Sequence, residues 1–418
     1  MSKHHVNPTL FAAAVLMGVL SGCVEPDSAR PWSTKSRSVE PSPAGGAGVS
    51  ASAANVSGDE DMSPIPTETT AITEETRVRE RPEAIETVVV NQASETAEIP
   101  ATPVETAGGV VGRAEAWLEE ASAHPMPLVR GYAFEAMERA PALLERSAPA
   151  GFIDENRGVR FIATMAVGQT GLVGLVPLLE PGLLDRSDSV RAATIYSLRT
   201  LGQPTDPTPL ARFATSDDPE IRANAIMILG LLGNPSAIPV IESTLGRGML
   251  LANPMRVRIT ELQAAESLVL LGDQKDVEPI RAALFAPVEQ GEITVLACDI
   301  LGRLGDEQAR SMLMRLVMVD GTQRRPPEIR IAAAQALLQL SPPHDPQLAG
   351  VLLGSVDATD ARLRVQVAGA LAHLPGPKAI EALTSLLGDE DPLVKTAAAG
   401  SLLVQLAGKP AVANTSGD

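Results

Sequence analysis

Asp217-Asp218-Pro219-Glu220-Ile221-Arg222-Ala223-Asn224-Ala225-Ile226-Met227-Ile228-Leu229-Gly230-Leu231-Leu232-Gly233 is the stretch on which the reading of this chain turns. Asp218 suits a helix N-cap, where a carboxylate accepts amide protons left free by the first turn. Pro219 suits the first helical position, since its missing N–H has no partner there. Ile221, Ala225, Ile228, Leu229 and Leu232 then recur at helical spacing and make one apolar face, with Leu229 expected in the core. Gly233 ends the helix and Asn234-Pro235 turns the chain. A second helix follows through Ala237, Ile238, Val240, Ile241 and Leu245.

The preceding stretch repeats the phrase. Ser189-Val190-Arg191-Ala192-Ala193 leads to Leu198 and then Leu201-Gly202, with the glycine the same distance after the arginine. Arg130, Arg160, Arg191 and Arg222 recur about every thirty residues, and Arg330, Arg364 and Lys395 take the same place later, with Leu337, Leu371 and Leu402 at the matching leucine. Aligned on Leu271-Gly272 and Leu304-Gly305, two units break the rule and carry Glu261 and Thr294 instead. A period of this length marks stacked repeats, each too small to bury its own apolar face. About nine helical hairpins fit between residues 110 and 408. An acid precedes many of the bases, as at Asp188, Asp218, Asp360 and Asp391, so each base is expected in an ion-pair ladder within or between repeats.

Composition agrees. Of 418 residues, 44% are hydrophobic but only 2% aromatic, which suits closely packed Ala, Leu, Ile and Val helices. The formal charge of −17 argues against nucleic acid, which calls for basic patches.

The repeat phrase resembles the short HEAT-like repeats of phycobilin lyases and many bacterial proteins, over roughly residues 125–408. That resemblance implies an all-α, right-handed α-solenoid of paired antiparallel helices. It implies no single activity, because function resides in sites rather than in the fold.

Ahead of the repeats, residues 1–22 have a secretory layout: Lys3, an apolar run from Leu10 to Leu20, then small residues. The run ends Leu20-Ser21-Gly22-Cys23, which resembles the bacterial lipobox. The resemblance implies cleavage before Cys23 and a lipid on its sulfur, hence a bacterial cell-envelope protein. Val24, rather than Asp, follows the cysteine, so in a Gram-negative cell the outer membrane facing the periplasm is favoured. Residues 23–109 are rich in Pro, Ser, Thr and Glu and, from Val24 on, carry nine more acids than bases. Such a stretch is expected to be a disordered tether, reaching on the order of 50 Å as a flexible coil. Residues 409–418 are expected to be a disordered tail.

Residues for chemistry are sparse. His124, His344 and His373 lie far apart, and the repeated His-Glu pairs of HEAT-repeat hydroxylases do not occur, so no metal site is expected. Neither a nucleophile elbow nor a phosphate-binding Gly-Lys-Thr loop is present. Cys298 sits in the apolar run Val295-Leu296-Ala297-Cys298-Asp299-Ile300-Leu301 and reads as a buried structural thiol. The expected function is therefore noncatalytic: a lipid-anchored scaffold gripping a protein partner on its concave face or at irregular loops, without a cofactor. The alternative is a lyase-like enzyme or enzyme subunit, recognisable by a tight pocket with perturbed titratable groups.

Two stretches interrupt the array. Residues 246–258 bring Arg247, Met249, Leu250, Arg256 and Arg258 together, and residues 320–327 bring Arg324 and Arg325 beside two prolines. Met and Arg are common contact residues, so both are candidate partner surfaces. The bland alternatives are a longer helix in the first case and a solvated loop in the second.

Overall fold

The computed structural model describes residues 106–246, 253–319 and 321–407. Residues 1–105 and 408–418, with Cys23, the expected tether and tail, and Arg247, Met249 and Leu250, lie outside the described residues. Among the described residues every regular element is a helix. The α-helices are α1 (Ala107–Ala121), α2 (Pro127–Ala136), α3 (Pro141–Phe152), α4 (Arg157–Thr170), α5 (Val176–Leu179), α6 (Asp188–Thr200), α7 (Pro209–Ala214), α8 (Pro219–Leu231) and α9 (Ile238–Glu242). They continue with α10 (Pro254–Leu270), α11 (Val277–Ala283), α12 (Gly291–Leu304), α13 (Arg310–Met318), α14 (Pro327–Gln339), α15 (Gln347–Leu353), α16 (Ala361–Leu371), α17 (Pro377–Leu386) and α18 (Pro392–Ala407).

Local signals act as their chemistry requires. Asp218 Oδ1 accepts the N–H groups of Glu220 and Ile221 at 2.8 and 3.3 Å, capping α8. Asp360 and Asp391 cap α16 and α18 in the same way. The glycine that closes the phrase adopts positive φ at Gly202, Gly233, Gly272 and Gly305, a conformation that a Cβ would strain. Helix α1 starts at Ala107, three residues before the boundary read at Val110, because Thr106 Oγ1 accepts the Gly109 N–H.

The even-numbered helices pack side by side in chain order, α2 on α4 through to α16 on α18, and the odd-numbered helices back them. This makes the inner wall and the outer layer of an all-helical repeat array. Small residues set the inner spacing. A Cβ on Gly168 of α4 would lie 2.7 Å from Ser197 Cα of α6, and one on Gly230 of α8 would lie 2.9 Å from Ser267 Cα of α10. Gly302 of α12 meets Ala336 Cα of α14 at the same 2.9 Å. These approaches exclude any side chain larger than hydrogen.

The array then closes. Helix α18 packs against both α1 and α2. Gly400 of α18 meets Ala136 of α2, its would-be Cβ 2.9 Å from Ala136 Cβ. Across the same seam, Trp117 Nε1 donates to Thr396 Oγ1 at 3.1 Å, and Lys395 Nζ lies 4.8 Å from the Trp117 ring centroid. The last unit lacks a second helix of its own among the described residues, and α1 takes that place. Nine hairpins result, the ninth made from the two ends of the repeat region. Curvature is tight: Arg157 of α4 reaches past α6 to Glu220 of α8, Nη2 to Oε2 2.6 Å.

The core is continuous from Val110 to Leu403. Leu198, Leu337, Leu371 and Leu402 are buried at the repeat leucine. Leu229 is only partly buried, and its neighbour Ile228 takes the core position, fully sealed.

Candidate functional site: the ladder and the acidic interior

The repeated arginines form a ladder, but mainly with acids other than those next to them in sequence. Arg130 makes a bidentate contact with Asp154, Nε–Oδ2 2.7 Å and Nη2–Oδ1 2.8 Å. Arg160 grips Asp185 and Arg364 grips Asp389 with the same two-pronged geometry, at 2.8 and 2.9 Å in each case. Each of these acids lies in the turn before the next unit's inner helix, where it also accepts the N–H of Asn156, Ser187 or Asp391. The arginine's remaining nitrogen ties carbonyls of its own preceding turn, such as His124 and Pro125 for Arg130. The local acids at 218, 360 and 391 serve as caps. Arg191 pairs instead with its neighbour, Asp188, and lies 5.5 Å from the Phe213 centroid.

Other members adapt. Arg222 bonds the Ser216 carbonyl and Arg330 the Val317 carbonyl. Lys395, the last base of the series, lies over Trp117 of α1. At the two irregular positions, Thr294 bonds the Ala283 carbonyl, while Glu261 borders a cavity of about 10 Å³ with Arg222, Thr244 and Thr260. A cavity of that size holds no more than one water. Arg281 of α11, absent from the sequence series, makes the same two-pronged contact with Asp306, both bonds 2.6 Å. Its 25-residue spacing to that aspartate, shared by Arg160–Asp185 and Arg364–Asp389, was the signal available.

Of the sequence-predicted contact residues, those among the described residues lie apart in two places. Arg256 is half-buried in α10 near Glu220, Arg258 of the same helix is exposed, and Arg324 and Arg325 lie in the connection before α14. Cys298 is fully buried, and burial pushes its thiol pKa far up, aided by Asp299, so it is a core thiol. His124 Nδ1 accepts the Met126 N–H in a turn. Among the described residues, no group of three or more His, Cys, Asp or Glu could hold a metal ion, and no helix is long and apolar enough to cross a membrane.

What sequence reasoning missed is the interior. Near the C-terminal ends of the inner helices stand Glu135 of α2 and Glu138 in the turn after it, Glu266 of α10, Asp299 and Arg303 of α12, Gln339 of α14 and His373 beyond α16. Arg303 donates to both Glu266 oxygens, at 2.8 and 3.0 Å from Nη2, and pairs with Asp299 through Nη1. Its side chain and that of Glu266 are 5% and 4% exposed, so both charges depend on this pairing. Burial raises the Glu266 carboxyl pKa, while Arg303 opposes the shift. Burial pushes Glu135 up to about 8, with help from the negative charge of Asp299. Glu138 is raised well above its ordinary value by burial and by Glu135, with Arg139 pulling the other way. With its amide turned so that nitrogen faces the carboxyl, Gln169 donates to Glu138 Oε1 at 2.5 Å, and Tyr196 beside them is pushed up to about 12 by burial and then by Glu138. His373 is held down near 4 by burial and by Arg139, and its ring meets Gln339 Nε2 at 3.3 Å.

Chemically, this is a partly desolvated acceptor surface with four carboxylates against the guanidiniums of Arg139 and Arg303. A sequence signal existed in retrospect. Acids close to helix C-termini oppose the helix dipole, and such violations gather at functional sites.

A family model described as HEAT repeats matches residues 349–414. Among curated proteins none matches the chain. Of solved structures, human deoxyhypusine hydroxylase in complex with glycerol is 16% identical, with a TM-score of 0.32, covering 63% of this chain and 98% of that one. The complex of CpcE and CpcF of phycocyanin lyase from Nostoc is 19% identical, TM-score 0.35, covering 62% and 97%. Kap121p is 15% identical, TM-score 0.28, covering 71% of this chain and 42% of that one.

Proposed function

We propose that this chain is a noncatalytic protein-interaction scaffold, tethered by a lipid on Cys23 to a bacterial cell envelope, with its ring of repeats held away from the membrane. The observation that carries the scaffold reading is the closed ladder of nine hairpins. Its inter-repeat ion pairs and close-packed inner wall join the units into one continuous surface, each unit packed on its neighbours and some tied further round, as by Arg157 and Glu220. The lipobox Leu20-Ser21-Gly22-Cys23 supports the anchor, and two acyl chains hold a protein to a bilayer far better than one. Closure bears on where a partner sits. The concave side faces a narrow interior, so a folded partner uses a rim or the outer layer, and only side chains or extended segments enter the mouth.

The test is fractionation and in-cell crosslinking of the full chain beside Cys23→Ser. The unaltered chain is expected in the membrane fraction with a specific crosslinked protein, and the variant in the soluble fraction. A variant that remains with membranes refutes the lipid anchor. Small-molecule turnover without a specific crosslink refutes the scaffold. A second reading, an enzyme or enzyme subunit, draws on the raised carboxyls of Glu135 and Glu138, since perturbed acids in a recess are also the mark of acid–base sites.

A further inference from the structure

The inner helices run in the same sense, because an antiparallel outer helix separates each from the next. The close approaches confirm it: Gly168 meets Ser197, Gly230 meets Ser267 and Gly302 meets Ala336, each near the C-terminal end of its helix. Nine carbonyl-bearing helix ends therefore gather at one mouth of the ring, and helix C-termini carry partial negative charge. Glu135, Glu138, Glu266 and Asp299 add carboxylates to that field. Of the cations nearby, Arg303 is committed to Glu266 and Asp299, Arg199 is turned outward onto the Thr205 carbonyl, and Arg139 stands next to Glu138. His373 is neutral at ordinary pH.

Within this mouth, side-chain oxygens are sealed from solvent without a hydrogen-bond partner. Glu135 Oε2 is one, on a half-buried side chain within reach of the Asp299 charge. Gln339 Oε1 is another, lying over Gly302 one turn beyond Asp299. Gln339 Oε1 is an acceptor, and Glu135 Oε2 is one in the ionised carboxylate; buried acceptors almost always have donors. The carboxylates are not grouped as a metal ion requires. The missing complement is thus a group that donates several hydrogen bonds, accepts none and carries positive charge. Alkylammonium and guanidinium groups have that character and keep their charge at neutral pH.

We propose that the C-terminal mouth of the ring binds an alkylammonium or guanidinium group, with Glu135 and Asp299 as its counter-charge and Gln339 Oε1 as a neutral acceptor. Resting on the scaffold reading, the natural source is a Lys or Arg side chain of the protein partner, inserted into the mouth as an anchor. Binding converts Glu135 from its protonated to its ionised form, so one proton leaves as the cation enters.

The test is titration calorimetry on the full chain, in two buffers of different ionisation heat at pH 7. The probes are n-butylammonium, n-butylguanidinium, and acetylated Gly-Lys-Gly and Gly-Arg-Gly amides. Saturable binding with proton release is expected, weakened at least tenfold by Glu135→Gln, whose amide keeps the shape without the charge. Circular dichroism checks the variant's fold, and proton release by the unaltered chain gives a readout that needs no variant. Binding by the peptides but not the free cations assigns the source to a partner side chain, whereas equal binding by all four assigns it to a free small cation. Absence of saturable binding by every probe overturns the proposal, as does unchanged affinity in Glu135→Gln with no proton released. Cation binding without any crosslinked partner leaves this site standing and refutes only the scaffold.

Discussion

Gly400→Ala, compared with Gly369→Ala, tests ring closure directly. In an open helix, replacing glycine by alanine gains up to about 1 kcal/mol, because the backbone has less freedom to lose. A Cβ at Gly369 would meet nothing within 4 Å, so that variant should show the gain. At Gly400 the same methyl would sit 2.9 Å from Ala136 Cβ and 3.5 Å from Ala136 Cα, closer than packed carbons allow. Overpacking of this kind costs about 1–3 kcal/mol. It offsets the intrinsic gain and leaves Gly400→Ala roughly 1–3 kcal/mol less stable than the control. The loss falls on the seam, so it should appear first as opening of α1 from α18. Amide hydrogen exchange is the assay. Residues 107–121 should exchange about 5- to 150-fold faster in Gly400→Ala than in Gly369→Ala, while α8 and α12 keep their protection. If both variants stabilise alike and α1 protection is unchanged, the ends do not meet as described and the nine-hairpin ring is wrong.

Asp185→Ala should lower stability by about 3 kcal/mol in chemical denaturation, because it leaves Arg160, with a side chain 6% exposed, buried without its carboxylate; a loss within the range of surface substitutions would deny the inter-repeat ladder. Leu371→Ala should cost about 2–5 kcal/mol and Leu229→Ala clearly less, since the first is fully buried and the second only partly; equal costs would contradict that difference. Stability should also depend on pH. Glu135 binds its proton more tightly when folded, so between about 4.5 and about 8 the folded state holds a proton that the unfolded chain has released, and stability falls as pH rises through that window. Asp299, Glu138 and Arg139 share the surroundings and shape the curve. Glu135→Gln should flatten it and be the more stable chain at pH 8, as measured by melting from pH 5 to 8.5, and an unchanged slope would remove Glu135 from the buried interior.

The helices, their caps and the repeat were legible because their causes are local. Asp218, Pro219 and Gly233 act within one or two turns of themselves, and the arginine series repeats because each unit meets the same neighbour. The ladder was legible in its bases but not in most of its acids. Asp154, Asp185 and Asp389 stand one unit ahead of their arginines, whereas the nearer acids at 218, 360 and 391 are taken by backbone amides. The interior was legible only as acids out of place near helix C-termini, never as one site. Glu135, Asp299 and Gln339 belong to different units, and no local pattern brings them together.

The amino-acid order by itself determined that this protein is helical, that it is built from stacked hairpins, and which positions bind one hairpin to the next, since each rests on interactions within a unit or between adjacent units. Only the tertiary structure decided that the stack closes, that α1 completes the unit begun by α18, and that acids from opposite walls share one desolvated mouth. The reason is cumulative geometry. Small rotations set at each close-packed interface, from Gly168 on Ser197 to Gly302 on Ala336, add around the array until Gly400 meets Ala136.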